Sequence, residues 1–306
     1  MSDERQLMWA ILARAALTAP RQVRSLISQV GPEQAAEMLT TRGTLIDIRS
    51  DLRDAARRDL DRSAASDGYL MTPDDPSWPA RRLADLDTEH LDTTAPIALW
   101  TQGSSRVELF AHNTIGIVGA RAATDYGRRV SAEIAGELAD RGWTIASGGA
   151  FGVDAEAHRA ALAHGGTTIA VLPTGLDRPH PHAHTDLFAE IAATGLLLSQ
   201  YPPRTELARS QFLARNRLVA ALSRAVVIPE SGLLGGTRNT VRWATKLARP
   251  VFAVPGPIHS AASAGCHAMI RDGEAELITS TAQILDSLTP PADLTVGSSA
   301  SPSSTC

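Results

Sequence analysis

"TIGIVGARAATDYGRRVSAEIAGELADRGWTIASGGAFGVDAEAHRAALAHGGTTIAVLP", residues 114–173, holds three short apolar runs separated by two stretches with helix-spaced apolar positions. The first two runs lead straight into glycine, at "IVGARAATDYG" (117–127) and "SGGAFGVDAEAH" (147–158). Buried β runs alternating with amphipathic helices predict a parallel sheet covered on both faces. In such sheets ligands bind beyond the carboxyl ends of the strands, where the glycine loops fall.

The pattern continues outward. "GLLLSQY" (195–201), "RAVVIPE" (224–230) and "PVFAVPG" (250–256) read as further strands, with "HTDLFAEIAATG" and "NTVRWATKLA" as helices between them. Before this region, "ERQLMWAILARAAL", "RQVRSLISQV" and "PEQAAEMLTTRG" have the apolar spacing of three helices, Pro20 opening the second and Gly31 closing it. "TPDDPSWPARRLADL" (72–86) reads as an irregular connector and "APIALWTQG" (95–103) as a short lead-in strand. The predicted organisation is a small helical domain over 1–70, a connector with lead-in strand over 71–105, an α/β unit over 106–285 and a polar, disordered tail over 286–306.

Composition bounds the function. The 306 residues are 43% hydrophobic and 20% charged, as in a soluble globular protein. No apolar run approaches the ~20 residues that span a bilayer, and the acidic, helix-spaced N-terminus is not a signal peptide. A cytoplasmic protein is expected. Cys266 and Cys306 form no disulfide framework or metal pair, and Cys266 is read as a partly buried free thiol beside His267. A net charge of −4 argues against a wholly basic nucleic-acid coat, yet residues 204–249 hold nine basic side chains and two acidic ones.

The loops carry the chemistry. In the first, Gly119 permits a tight turn, Thr124 or Asp125 is placed to cap a helix whose amides would attract an anion, and Arg121 stands at the turn. In the second, Ser147, Gly148 and Gly149 give a permissive backbone suited to a nest of N–H donors; Asp154 is read as the cap of the next helix, with His158 one turn on. No nucleophile-elbow pattern accompanies that pair. His180, His182 and His184 alternate with prolines at 179 and 181, which suggests an extended chain with the histidines on one side. A solvated loop or pH-sensitive anion contact ranks above a metal site there, because no further ligand completes one. "FLARNRLVAALS" (212–223) sets Arg215, Asn216 and Arg217 at a helix start, and "ESGLLGGTRNT" (230–240) is a third glycine loop with Gly236, Thr237, Arg238 and Asn239. Repeated arginine–asparagine clusters beside glycine loops suit several phosphates better than one nucleotide.

These stretches, with "GGTTIAVLPTGLDRPHP", "LLLSQYPP" and "VFAVPGP" through "GCHAMIRDGEAELIT", occur in the order seen in the DNA-processing protein A family (DprA, also called Smf), which residues 1–282 resemble. The resemblance implies an extended Rossmann-like α/β fold with a mostly parallel sheet behind a helical N-terminal domain. It also implies a non-enzymatic role without cofactor or metal: binding single-stranded DNA as a homodimer and loading a RecA-type recombinase in natural transformation. The implied DNA contacts are Arg121, Ser147, Gly148, Gly149, Phe151, His182, Arg215, Asn216, Arg217, Gly236, Thr237, Arg238 and Asn239. Many members carry arginine where this chain has Phe151, whose ring can stack on a base instead. Many also add a C-terminal winged helix, for which this sequence has no counterpart.

Two other readings share the fold. A nucleotide phosphoribohydrolase would use the glycine-threonine loop at Gly235, Gly236 and Thr237, but no glutamate follows for several helical turns to act as acid or base. A nucleotide-binding sensor would signal through the N-terminal helices. An oxidoreductase ranks last because GxGxxG is missing. The loop histidines further suggest tighter DNA binding below about pH 6.5.

Overall fold

The computed structural model describes residues 2–41, 51–88, 91, 93–103 and 113–289. The tail from residue 290, Cys306 included, and residues 104–112 at the start of the predicted α/β unit lie outside these. Four helices come first: Asp3–Ala16 (α1), Pro20–Val30 (α2), Pro32–Thr41 (α3) and Leu52–Ala64 (α4). Gly68–Met71 (β1), Ala80–Ala84 (α5) and Leu99–Gln102 (β2) lead into the alternating region. That region runs Thr114–Ile117 (β3), Asp125–Asp140 (α6), Thr144–Ser147 (β4), Val153–Ala163 (α7), Thr168–Val171 (β5), Thr185–Thr194 (α8) and Leu196–Ser199 (β6). It ends with Arg209–Leu222 (α9), Ala225–Ile228 (β7), Thr237–Lys246 (α10), Val251–Ala253 (β8), Ala264–Arg271 (α11), Glu276–Leu277 (β9) and Thr281–Leu288 (α12).

Among the described residues the strands form one sheet in the order β1-β2-β6-β5-β4-β3-β7-β8-β9. From β6 to β9 every pairing is parallel, and β1–β2 and β2–β6 are antiparallel. This is an extended Rossmann-like architecture, and each strand predicted by its apolar run lies where expected. The parallel strands β3 to β7 are buried at every position, which explains their continuous apolar sequence. One apolar cluster fills the face holding Leu218, Val219 and Val241; another, with Ile115, Ile134, Val153 and Phe252, fills the opposite face.

Four elements have little signature in the sequence. Helix α4 is rich in arginine and aspartate, and its buried Asp59 accepts from Arg14 of α1. Strand β1 is four residues long and β9 two, the latter exposed at both positions. The segment read as irregular around residues 72–86 contains α5, and its turn is tied down by Asp75, whose Oδ2 accepts from the Thr72 amide at 2.8 Å.

The chain adds strands outward from β3 through β6, returns along α9, and resumes at β7 on the other side of β3. That reversal opens a crevice between the β3 and β7 carboxyl ends. Glu230, one hundredth exposed, bridges it: its Oε2 accepts from the Thr124 amide at 2.8 Å and its Oε1 from the Thr124 hydroxyl at 2.6 Å. Thr124 is the α6 N-cap and its Oγ1 accepts from Gly127 N at 3.3 Å. The N-cap amide and hydroxyl are therefore held by the protein's own carboxylate, and its negative charge at this helix start works against an external anion, contrary to the expectation from sequence. Glu230→Ala should lower the unfolding free energy by about 2 kcal/mol, since buried donors lose their charged acceptor; urea unfolding of the two proteins measures this.

Candidate nucleic-acid interface

Above the crevice lies a cleft of about 1000 Å³. Its walls are the loops 118–122 and 231–236, the start of α10, and the α9 side chains Phe212, Arg215 and Asn216. Its charged side chains are Arg121, Arg209 and Arg215 against one carboxylate, Asp154.

Arg215 forms the floor. Its residue is 5% exposed, and its nearest carboxylate oxygen is Asp154 Oδ2, 4.0 Å from Nη1. The buried Nε has no hydrogen-bond partner. The guanidinium lies across Gly148 so closely that a Cβ there would sit 1.2 Å from Nη1. Burial pulls the Arg215 pKa down and Asp154 pulls it back up. Asp154 in turn has its carboxyl pushed up by burial, opposed by Arg215 and by the amides of Ala150, Gly119 and Gly148. It does not cap its own helix as the sequence suggests. It lies inside α7 and accepts from Gly148 N at 3.2 Å and Ala150 N at 3.4 Å, so it shapes the turn after β4.

The third loop closes the cleft. Asn216 Nδ2 donates to Gly236 O and to Asn239 Oδ1, both at 3.3 Å, and so clamps the loop to α9. Gly236 is the N-cap of α10 and no side chain caps this helix. Its opening amides, at Thr237 and beyond, add partial positive charge to the cleft wall.

The remaining sequence candidates divide. Arg121 is exposed at the rim, its guanidinium 5.1 Å from the Phe212 ring centroid. Ser147 is buried and donates to Ile117 O at 2.5 Å, holding β4 to β3. Gly149, at φ +68°, leaves space filled by Phe188. Arg217 points away from the cleft: two residues on from Arg215 along a helix, it faces the opposite side, donating to Thr94 O and to Gln200 Oε1 at 2.7 Å. Burial pulls its pKa down to about 10. Arg238 also turns outward, to Glu274 at 3.2 Å and Asp272 at 3.7 Å. Phe212 and Arg209 line the cleft and were not singled out as contacts; their place on α9, one and two turns before Arg215, was the available signal.

The histidines diverge as well. Residues 182–184 form a tight 3-10 turn rather than an extended strand. His180 packs edge-on to Phe212 at 5.6 Å, exposed His182 contacts Thr185 Oγ1 at 3.2 Å, and buried His184 contacts Gly149 O at 3.0 Å. Burial and then Arg121 push the His180 pKa below the usual histidine value, so the expected tightening near pH 6.5 finds no support in this residue.

His158 does not pair with Asp154. Thr168 Oγ1 donates to Ile145 O at 2.8 Å, so it accepts the Nδ1 proton of His158 at 2.7 Å, and Nε2 is buried without a partner. Burial, with Arg215 and His184 nearby, lowers its pKa to about 3. The unfolded chain then binds one more proton than the folded one between that value and the ordinary 6.5, so stability falls as pH drops through this window. The slope due to this group is about 1.4 kcal/mol per pH unit. Urea unfolding at pH 7, 6, 5 and 4 should show that slope, and His158→Gln should remove it.

Glu230, the carboxylate adjoining the third loop, has both oxygens engaged by Thr124, so the phosphoribohydrolase reading gains no acid or base there. No helix among the described residues is long and apolar enough to cross a membrane.

The sequence model of the family described as DNA recombination-mediator protein A matches residues 69–289. A DNA processing protein DprA of Mycobacterium tuberculosis H37Rv is 42% identical over 299 residues, which cover 94% of this chain and 76% of that protein. The DNA processing protein DprA of Streptococcus pneumoniae is 38% identical over 62% of this chain and 66% of its own length. Its crystal structure superposes with a TM-score of 0.72 at 28% identity, over 90% of this chain and 95% of that one. DNA processing protein A of Helicobacter pylori, whose structure is described by its single-stranded DNA binding mode, superposes with a TM-score of 0.63 at 31% identity over 72% and 95% of the two chains.

Proposed function

The chain belongs to the DNA recombination-mediator protein A family, and on that premise we propose that its cleft binds single-stranded DNA through the phosphate backbone. The observation that carries this is Arg215. A buried guanidinium whose nearest carboxylate stands 4.0 Å away keeps much of its charge uncompensated, and the cleft above it admits an anion. The uncapped start of α10 faces the same space, and Arg121 and Arg209 extend the positive charge along the rim.

The protein acts by binding, not by catalysis. Gly148 makes room for the Arg215 guanidinium and Gly149 for the Phe188 ring, so the two glycines shape the cleft from beneath. Phe151 stands beside them, and Asn216, Gly236 and Thr237 line the opposite wall, with Asn239 held by Asn216. Arg217 and Arg238 are left out of the contact set because their guanidinium groups are engaged elsewhere. The partners that go with this function are a RecA-type recombinase, onto which the strand is loaded, and a second copy of the chain; such a recombinase implies a cytoplasmic setting. Residues 106–285 would be the DNA-binding unit, with residues 1–70 as an accessory helical one.

Fluorescence anisotropy with labelled poly-dT across a salt series tests this. Affinity should fall steeply as salt rises, because each neutralised phosphate releases counterions. Arg215→Gln should weaken binding by about tenfold at fixed salt. The double variant with Asp154→Asn removes the orphaned carboxylate, so a binding defect that persists in it reports lost phosphate contact rather than misfolding. Arg217→Gln should lower the melting temperature and leave the salt slope intact. Poly-dT binding that is absent at low salt would refute the proposal.

A further inference from the structure

Two grooves meet at the Arg121 loop. Besides the main cleft, a second groove of about 400 Å³ runs between the start of α6 and the outer face of α7. Arg121 and Ala122 line both, so the two are continuous around one loop. The charged side chains of the second groove are Arg121, Arg128 and Arg159, with Glu156 as the single acid.

Its basic groups are fixed in place. Arg128 donates to Ala123 O at 2.6 Å and pairs with Asp125, and Arg159 pairs with Glu156 at 2.9 Å. Both side chains nevertheless remain about half exposed, at 44% and 50%. Held this way, a guanidinium loses little further rotamer freedom on meeting a phosphate.

Phe151 lines this groove beside these arginines, next in sequence to Ala150 of the main cleft. It is 48% exposed, yet packed on one side against a second ring. Its edge contact with His184 has ring centroids 4.5 Å apart at 62°. His184 is buried, contacts Gly149 O through Nδ1 and packs edge-on to Phe188 at 6.1 Å. The exposed ring is thus braced through a second ring to the core.

A fixed aromatic surface beside fixed arginines suits a ligand with alternating flat apolar faces and anions. Single-stranded nucleic acid has that chemistry; a duplex keeps its base faces stacked and hidden, and an acidic peptide supplies no flat rings at a phosphate repeat. We propose that a strand held in the main cleft continues past Arg121 into this second groove, where one nucleobase stacks on Phe151 and the flanking phosphates meet Arg159 and Arg128. This rests on the single-strand reading of the cleft and extends its path onto α7.

The test compares oligo-dT with a strand of the same length and charge whose bases are replaced by abasic sites, measured at fixed salt and across a salt series. Phe151→Ala should weaken oligo-dT binding by at least about fivefold, and abasic replacement should cost this variant less affinity than it costs the wild type. Phe151→Trp should preserve binding and add an emission component, absent from the wild type, that oligo-dT quenches and the abasic strand does not. Arg159→Gln should reduce the salt slope by about one. The inference is overturned if the wild type binds oligo-dT while Phe151→Ala binds both strands as the wild type does and Arg159→Gln keeps the full slope. A wild type that binds neither strand at low salt overturns the reading of the cleft, and this inference with it.

Discussion

The buried guanidinium of Arg215 is the constraint on which the cleft depends. A cation removed from water needs an opposing charge or a ring of acceptors. Here the nearest carboxylate, on Asp154, is already shared with the amides of the β4 turn. One interaction thus sets the position of α9, the start of α7 and the glycine turn after β4. It also explains the glycine: Gly148 carries no side chain because the guanidinium occupies the volume a side chain would take. Two stretches more than sixty residues apart in the sequence, the turn and helix start at 148–154 and α9 at Arg215, meet at one charge, and that charge is left partly uncompensated where the cleft opens.

Helix ends are used unequally around this point. The start of α6 is filled by Thr124 and Glu230, and the start of α9 has Gln211 Oε1 accepting from the Ala208 amide at 2.7 Å. The start of α10 faces the cleft without a side-chain cap. Of the helix starts after β3 and β7, the first is thus closed by a carboxylate and the second stays open beside Arg215. Glu230 also keeps the β7 loop at a set distance from the β3 loop, which holds the crevice open at its base.

The sheet was legible because burial on both faces writes each parallel strand as an unbroken apolar run, as in "TIAV" and "AVVI". The loops after β3, β4 and β7 were legible through their glycines. Individual roles were less so. Arg215 and Arg217 look equivalent in "ARNR", but two helix positions turn a side chain by about half a circle, sending one to the cleft and the other to Thr94. Asp154 and His158 have the spacing of a pair, and each found a different partner across the sheet. The bond from Glu230 to Thr124 spans 106 positions and leaves no local trace. Periodicity reports which face is buried. It says nothing about which polar group waits there.

The antiparallel strands β1 and β2 join the helical segment to the sheet by more than chain continuity. Leu70, Ile97, Ala98 and Trp100 belong to the same apolar cluster as Leu7, Ile11 and Leu12 of α1, and the indole of Trp9 donates to Asp74 at 2.6 Å. Strand β2 pairs directly with β6, whose following residue Gln200 receives Arg217 from α9. The N-terminal helices are thus packed on the sheet edge through a shared apolar cluster rather than hung from it by a tether. Any molecule that met the outer face of these helices would stand at one set distance and orientation from the cleft, because a shared apolar cluster ties the helices to the sheet edge.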